Sequence, residues 1–360
     1  MIKLPTYKEI VKDIEKIDGD KNILLGNGFS MGVFDDFFNH QSLINNISDE
    51  INATNDNLIK LLSNNDVQNI EIALRVMHDS FDCLRMMNNI YINIQDVDKL
   101  IPSIESDITV LKDALIKVFD TLHPEYNSGK EDSFQSCARN LSIYNRVYTL
   151  NYDLILYWVF LKHNESQSVD KLFKDGFSGK HVNDHLLLWS PTNNLINITY
   201  LHGAIHLVQD ANESICKIIK GKLKNESFIH LSDIINRLKD EPTFNNIIVL
   251  EGRTEKKLEV IHRNPYLYRG LSRLGSSSGC FVIYGCSICE DAGNINNDKH
   301  IWERIVNSKV SKIYIGICHD KPNTSSVTDA LLSCYHGEDP SDLISRISFF
   351  STDNNEIWQS

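Results

Sequence analysis

The chain has 360 residues, of which 42% are hydrophobic, enough to bury one large core or two modest ones. Its 36 Lys and Arg residues against 48 Asp and Glu residues give a formal net charge of −12, which argues against direct binding to nucleic acid. The densest basic run contains Lys217, Lys220, Lys222 and Lys224, and we interpret it as the solvated face of a helix.

The N-terminal segment MIKLPTYKEIVKDIEKIDGD carries acidic residues where a signal peptide has an apolar block, and no apolar run reaches about 18 residues. We therefore expect a cytoplasmic protein without a membrane segment. The eight cysteines lack the dense, regular spacing of a secreted disulfide scaffold. Cys286 and Cys289 form the single C-x-x-C pair, and without a second pair we predict two buried cysteines and no metal site.

The first predicted elements are a helix, a strand and a long helical region. Residues 6–17 place apolar residues at helical spacing, which predicts an amphipathic helix. A buried strand at Ile23–Leu25 follows and runs into the glycine-rich segment Gly26–Ser30. From about residue 36 to 142 apolar residues recur at three- and four-residue steps, so we predict a mainly helical insertion.

Two further strands each end on polar residues. Arg146–Leu150 is rich in β-branched and aromatic residues and leads into Asn151–Asp153. Ile196–Leu201 alternates like a strand and ends before His202. Residues 208–265 are mixed and lysine-rich, and we predict a second insertion there.

The C-terminal third alternates helices with strands. A helix over PYLYRGLSRL precedes a strand at Cys280–Tyr284 and a turn at Gly285–Ser287, and a helix over HIWERIVNS precedes a last strand at Lys312–Ile317. Alternation of this kind, with short apolar strands, predicts an α/β protein. We expect a Rossmann-like parallel sheet with helical insertions, in a single domain over residues 1–360.

Four polar segments follow strands that are predicted to be parallel. Ligands of open α/β sheets bind beyond the carboxyl ends of the strands, so we expect these segments to meet in one crevice. They are Gly26–Ser30, Asn151–Asp153, His202 and Gly285–Ser287.

The glycine-rich segment predicts a binding site for nucleotide phosphates. Glycines let the backbone turn tightly and approach a pyrophosphate, whose charge is favoured by the amides of a following helix N-terminus. Gly32 comes one place too late for G-x-G-x-x-G, and no acidic residue about 20 positions on follows a plausible strand, which argues against a dehydrogenase. A plain strand-to-helix turn is the alternative. The residues assigned to the cofactor here are Gly26, Asn27, Gly28, Phe29 and Ser30.

Asn151 and Asp153 have both a chemical and a structural interpretation. Two positions apart in an extended stretch, their side chains share a face and can hold a ribose hydroxyl or an amide group. The alternative is a cap on the helix that begins near Leu154.

His202 follows a strand and precedes a glycine, and its unperturbed pKa suits acid–base catalysis, although a structural histidine is the alternative. His206 lies one helical turn away and could be mistaken for it. Gly285 and Ser287 can bind a cofactor ribose or simply close a turn.

Four motifs resemble the sirtuin-like family. GNGFS, TLNYD, LHG and YGCS occur in the order of that family's glycine loop, Asn–Asp motif, catalytic histidine and G-x-S turn, in patches over roughly residues 22–318. Within that group, VLEGRTEKKLEVIHRNPYLYRGLSRL and NDKHIWERIVNSKVSKIYIGI resemble a bacterial family described as a domain of unknown function.

The resemblance implies that NAD binds in the crevice as a substrate. The glycine loop would hold the NAD diphosphate, and the Asn–Asp motif would place the nicotinamide ribose and carboxamide. The histidine would act as a base toward a ribose hydroxyl, and the last turn would lie near the adenosine ribose. Carried over by motif, these residues are Gly26, Asn27, Gly28 and Ser30, then Asn151 and Asp153, then His202, then Gly285, Cys286 and Ser287.

Two departures from the sirtuin-like pattern narrow the expected activity. Asn27 replaces the usual alanine and puts a polar side chain near the phosphates. Protein-deacylating sirtuins carry a four-cysteine zinc module between the histidine and the G-x-S turn, whereas that interval holds only Cys216 and Cys280 here. Peptide deacylation is therefore not expected.

The activity implied by the resemblance is NAD glycohydrolysis, with nicotinamide and ADP-ribose as products and cyclic ADP-ribose as a minor one. Sirtuin-like proteins without the zinc module are often NAD-depleting effectors of bacterial anti-phage defence, held silent until homo-oligomerisation or a regulatory partner protein triggers them. Two alternatives stay open: a non-catalytic module that senses NAD or ADP-ribose, and an ADP-ribosyltransferase.

Overall fold

A six-stranded parallel sheet forms the centre of this mixed α/β protein, as the sequence predicts. Across the sheet its strands are Ile347–Ser351 (β11), Lys309–Ile317 (β10), Ser278–Tyr284 (β9), Lys21–Leu25 (β1), Arg146–Thr149 (β2) and Ile198–Tyr200 (β5). The last predicted strand is therefore correct in position but is followed by one more, β11.

The computed structural model describes residues 4–34, 40–51, 55–64, 67, 70–90, 97–126, 128–166, 173–177, 181–183, 186–191, 197–219, 231–240, 243–250, 252–289, 296–318 and 324–360. Within these ranges no helix is both long enough and apolar enough to cross a membrane.

Strand β1 lies in the middle of the sheet, between β9 and β2. Its residues Ile23, Leu24 and Leu25 are fully buried, because helices cover both faces of the sheet, and this accounts for the continuous apolar run. Leu25 is level with Tyr284 of β9 and with Thr149 of β2. The three strands therefore end at the same edge of the sheet.

The first helix confirms the predicted amphipathic pattern. Tyr7–Ile14 (α1) begins at a capping box in which the Thr6 side chain accepts from the backbone N–H of Glu9 and the Glu9 side chain accepts from that of Thr6. Its face of Tyr7, Ile10 and Ile14 is buried.

Helices fill the described part of the region between β1 and β2, in agreement with the predicted helical periodicity over residues 36–142. The helices are Asn27–Met31 (α2), His40–Ile51 (α3), Asp56–Leu62 (α4), Ile70–Ile90 (α5), Val97–Leu122 (α6) and Glu131–Leu141 (α7).

A second, antiparallel sheet draws its five strands from the region between residues 181 and 248, and the sequence did not predict it. Its strands, in spatial order, are His181–Asn183 (β3), Leu186–Leu188 (β4), Ile215–Ile218 (β7), Gly203–Gln209 (β6) and Asn245–Ile248 (β8). The predicted second insertion at 208–265 is therefore partly sheet. His206 lies in β6, so the idea that it sits one helical turn from His202 is wrong.

The remaining helices pack around the two sheets. PYLYRGLSRL and HIWERIVNS were both predicted as helices, and both are confirmed. The helices are Ile155–Ser166 (α8), Leu231–Asp240 (α9), Thr254–Arg263 (α10), Pro265–Gly275 (α11), Lys299–Val306 (α12), Thr324–Leu332 (α13) and Pro340–Arg346 (α14).

Lys217 is not on a solvated helix face, which corrects the interpretation of the basic run. It lies in β7, is buried, and its Nζ is 2.5 Å from Oδ2 of Asp175. The ammonium also faces the rings of Tyr157, Phe160 and Phe177 at 5.1 to 5.7 Å. Lys220, Lys222 and Lys224 lie outside the described residues.

The Lys217–Asp175 pair predicts a large stability loss for Asp175→Asn. The variant leaves the ammonium buried without its counter-charge, which costs about 3–5 kcal/mol of unfolding free energy. The matched control is Glu165→Gln, which breaks the more exposed Lys162–Glu165 pair at 3.0 Å and should cost at most about 1 kcal/mol. Urea unfolding followed by circular dichroism measures both; equal, small losses would contradict the buried-pair assignment.

Candidate functional site

Three of the four predicted polar segments meet where the central strands end. The N–H of Gly26 donates to the carbonyl of Tyr284 at 3.0 Å, and that of Leu150 donates to the carbonyl of Leu25 at 3.0 Å. These bonds continue the β1 pairings one residue beyond the strands. The segments after β1, β2 and β9 therefore lie side by side at one edge of the sheet.

The glycine-rich segment is a helix start rather than a loop. Gly26 is the N-cap of α2, and the helix begins directly at Asn27. The N–H of Gly28 donates to the carbonyl of Gly285 at 2.8 Å, and the N–H of Phe29 donates to the carbonyl of Gly26 at 2.9 Å. Two of the amides that the sequence assigned to a diphosphate thus bond to carbonyls of the protein.

Close packing of two turns explains why glycine occupies these positions. A Cβ on Gly26 would lie 2.6 Å from the carbonyl oxygen of Gly285, and one on Gly28 would lie 2.8 Å from the Cα of Gly285. Gly285 itself has φ +69°, a conformation that favours glycine. The alternative interpretation, a strand-to-helix turn, therefore accounts for the glycines without any ligand.

Phe29 faces the core and not the crevice, so its side chain is not available to a cofactor. It is fully buried, and its ring packs on Trp358 with 4.5 Å between ring centres. The indole N–H of Trp358 donates to the carbonyl of Phe29 at 2.9 Å. The C-terminal 3₁₀ turn Glu356–Trp358 thereby holds α2 in place.

Asn151, Ser30 and Asp153 form one hydrogen-bonded cluster. The Asn151 amide donates to the carbonyl of Gly26 at 3.0 Å and to Oγ of Ser30 at 2.9 Å. The Ser30 hydroxyl donates to Oδ2 of Asp153 at 2.6 Å. The residues after β2 and those of α2 are therefore joined through their side chains, as the prediction of a single crevice requires.

Asp153 also performs the capping role that was the alternative interpretation. Its Oδ1 accepts from the N–H of Ile155, the first residue of α8, at 2.8 Å. Burial raises the pKa of Asp153 to about 6, although hydrogen bonds from Ser30, Ile155 and Asn151 act in the opposite direction. The carboxyl group therefore titrates near physiological pH.

The backbone around His202 runs alongside the Asn151 segment. The N–H of Leu201 donates to the carbonyl of Thr149 at 2.9 Å, and the N–H of Ile205 donates to the carbonyl of Tyr152 at 2.9 Å. His202 thus lies between Leu201 and Ile205, whose partners Thr149 and Tyr152 stand on either side of Asn151 in the sequence. Its side chain approaches a different group, since its Nε2 lies 3.6 Å from Oδ1 of Asp298.

His202 is 2% exposed, and burial lowers its pKa to about 3, with the Asp298 carboxylate acting in the opposite direction. Its ring stacks near that of His300, with 5.6 Å between centres. The imidazole is therefore neutral at neutral pH, and its proton affinity depends on Asp298.

Asp298 belongs to a buried charge network that the sequence did not reveal. Lys257 of α10 is fully buried, and its ammonium donates to Oδ1 of Asp298 at 2.7 Å and to Oε2 of Glu71 on α5 at 3.0 Å. Burial lowers the pKa of Lys257, but the two carboxylates outweigh burial and hold it above its usual value. No local pattern distinguishes Lys257 from Lys256, its neighbour on the same helix, whose side chain is 30% exposed.

The turn after β9 closes on itself. The Cys286 thiol donates to the carbonyl of Tyr284 at 3.7 Å, and burial and the charge of Asp298 raise its pKa, so it is no reactive thiolate. The exposed Ser287 hydroxyl donates to the carbonyl of Cys289 at 3.2 Å. Gly285, Cys286 and Ser287 therefore match the turn-closing alternative, and their contact with a ribose stays a prediction.

A surface cleft of about 330 Å³ lies beside α12. His300 is part of its wall, together with Glu303 and Arg304. Neither His202 nor Asp298 lines this cleft, and neither does any residue of the Asn151–Ser30–Asp153 cluster.

The raised pKa of Asp153 predicts a pH-dependent difference between the wild type and Asp153→Asn. Between about pH 4 and 6 the folded chain binds more protons at this group than the unfolded chain, so its stabilisation is present below pH 4 and is lost as pH rises through 6. Relative to the variant, the wild type should lose up to about 3 kcal/mol between pH 4 and 7. Denaturant unfolding over this range measures the difference, and a constant difference would contradict the assignment.

Comparison with known proteins places the chain in a family without an assigned activity. No curated protein matches the sequence. A family model described as "Domain of unknown function (DUF4917)" matches residues 23–358, which includes every residue of the site and both sheets apart from the first two residues of β1. The protein is therefore a member of the DUF4917 family.

Proposed function

We propose that this protein is a sirtuin-like NAD glycohydrolase that cleaves NAD to nicotinamide and ADP-ribose. The observation that carries the proposal is the cluster in which Asn151, Ser30 and Asp153 bond to one another beside the carboxyl ends of β1 and β2. A polar cluster at this place in an open α/β sheet is where nucleotide ligands bind. The order of the four sirtuin-like motifs supports NAD as that nucleotide.

Cleavage of the nicotinamide–ribose bond passes through an oxocarbenium-like state, as in glycoside hydrolysis. Nicotinamide leaves NAD as a neutral molecule, so the enzyme has mainly to orient the ribose and a water molecule. Asn151 would offer its amide to the ribose or to the water, and its bonds to Gly26 and Ser30 fix its orientation. Asp153 would hold the carboxamide.

His202 would polarise a ribose hydroxyl. Because burial keeps its imidazole neutral, the ring presents a lone pair at neutral pH. The Asp298 carboxylate at 3.6 Å would stabilise the imidazolium that forms as the hydroxyl proton moves. Diphosphate binding at α2 would require the N–H of Gly28 to exchange its bond to Gly285 for one to a phosphate oxygen.

Control of the activity would act through the helical region. Glu71 on α5 bonds to Lys257, which bonds to Asp298 beside His202, so a movement of α5 changes the charges around the histidine. The far end of α5 exposes Met86, Met87 and Ile90. This apolar end is where a second copy or a regulatory partner would bind in an NAD-depleting effector of anti-phage defence.

Release of nicotinamide from NAD tests the proposal. We expect the wild type to release nicotinamide and ADP-ribose, and Asn151→Ala and His202→Ala to reduce the rate about 100-fold or more. His262→Ala, at an exposed position of α10, is the matched control and should keep the wild-type rate.

Binding of ADP-ribose, measured by calorimetry on the same variants, separates the alternatives. Tight binding by a wild type that releases no nicotinamide, as a purified protein or after assembly, would identify a sensor instead. Label from NAD on a macromolecule, without free ADP-ribose, would identify a transferase. Equal rates for the wild type and both site variants would refute the assignment of the site.

A further inference from the structure

His202, Asp298 and His300 bring three metal-binding side chains to one point. His202 follows β5, Asp298 precedes α12, and His300 lies in its first turn. Their ligand atoms all lie within 4.8 Å of one another, and His202 Nε2 is 3.6 Å from Asp298 Oδ1. Two atoms bound to one tetrahedral metal ion at about 2.0–2.1 Å are about 3.4 Å apart. The His202–Asp298 pair is already close to this spacing, whereas a pair of ligand atoms near the 4.8 Å limit would have to approach by about 1 Å to share an ion.

Both histidines are buried and have ring nitrogens without hydrogen-bond partners. His202 and His300 are each 2% exposed. Within the described part of the chain, Nε2 of His202 and both ring nitrogens of His300 have no hydrogen-bond partner. Buried polar atoms without partners are unfavourable and rare, so each calls for a ligand or another explanation. A cation bound at the edges of the rings, where the nitrogen lone pairs point, would satisfy a nitrogen of each.

Charges of both signs surround the three side chains. Lys257 contributes one positive charge, and Asp298 and Glu71, which it bonds, contribute two negative charges. Arg304, whose charge also acts on His300, contributes a second positive charge, so the donor atoms and not a net negative charge argue for a cation. Lys257 also fixes the Asp298 carboxylate in position, as neighbouring groups do for carboxylate ligands in metal sites.

We propose that His202, Asp298 and His300 form a binding site for a divalent first-row transition metal ion such as Zn²⁺ or Co²⁺. A site with two imidazole nitrogens and one carboxylate oxygen binds these ions in preference to Mg²⁺ or Ca²⁺, which favour oxygen ligands. His300 also lines the cleft beside α12, so one of the three side chains borders a surface cleft. The expectation of no metal rested on the spacing of cysteines and histidines along the sequence, whereas these three ligands come from distant segments.

Metal binding would also control the proposed reaction, an inference that rests on the proposed function. Nε2 of His202 faces Asp298 and is the nitrogen that the metal would take. A nitrogen bound to a metal ion has no lone pair for a ribose hydroxyl. The metal-loaded protein would therefore bind NAD without cleaving it, and removal of the ion would restore the base.

Titration with Co²⁺ tests the site without reference to NAD. Metal-free protein should bind one equivalent and develop the visible absorption of Co²⁺ bound to nitrogen and oxygen, without a thiolate band. His300→Gln and Asp298→Asn should weaken binding by about 10- to 100-fold. His262→Ala, which removes an exposed histidine of α10, should bind like the wild type.

The outcomes separate the two proposals. No stoichiometric binding, or equal binding by the wild type and by folded His300→Gln and Asp298→Asn, would overturn the metal site. A thiolate band would assign the ion to cysteines instead and overturn it as well. If metal-free protein releases nicotinamide and one equivalent of Co²⁺ stops the release, the metal controls the reaction as inferred. If release requires Co²⁺, inhibition by the metal is refuted while the metal-binding site stands.

Discussion

The arrangement around His202 depends on the ion pairs made by the buried ammonium of Lys257. It bonds to Glu71 on α5 and to Asp298 at the start of α12, while Lys257 itself lies on α10. An ammonium in this position is stable only while both carboxylates stay with it, since removing one partner of a buried ion pair leaves a charge without compensation. Three elements from separate parts of the chain are thereby held to one point. The position of Asp298, and with it the proton affinity of His202, follows from that constraint.

The other half of the site depends on packing and not on charge. The turns after β1 and β9 approach so closely that only glycine fits at Gly26, Gly28 and Gly285. This contact sets where α2 begins and so places Ser30 between Asn151 and Asp153. The packing of these two turns therefore explains the glycine pattern that resembles a phosphate loop. Any nucleotide would bind beside turns that already contact each other without it.

The parallel sheet could be predicted because its strands are short apolar runs buried on both faces, each followed by polar residues. The meeting of Asn151 with the segment after β1 followed from the same rule. The antiparallel sheet could not be predicted, because its strands come from short, mixed segments whose pairing is decided by distant neighbours. Lys217 and Lys257 show the same limit. Each looks like a surface lysine in the sequence, and each is buried beside carboxylates that the fold brings near, Asp175 for Lys217 and both Glu71 and Asp298 for Lys257.

The contact between Trp358 and Phe29 joins residues 329 positions apart. Contacts of such long range form late, because the entropy of closing a long loop must be met before they stabilise anything. During synthesis the N-terminal part of the chain emerges and begins to fold first. The helix that carries Ser30 therefore lacks its final support until the segment around Trp358 has been made and has packed against Phe29. The order of synthesis thus makes this crevice one of the last parts of the fold to be completed.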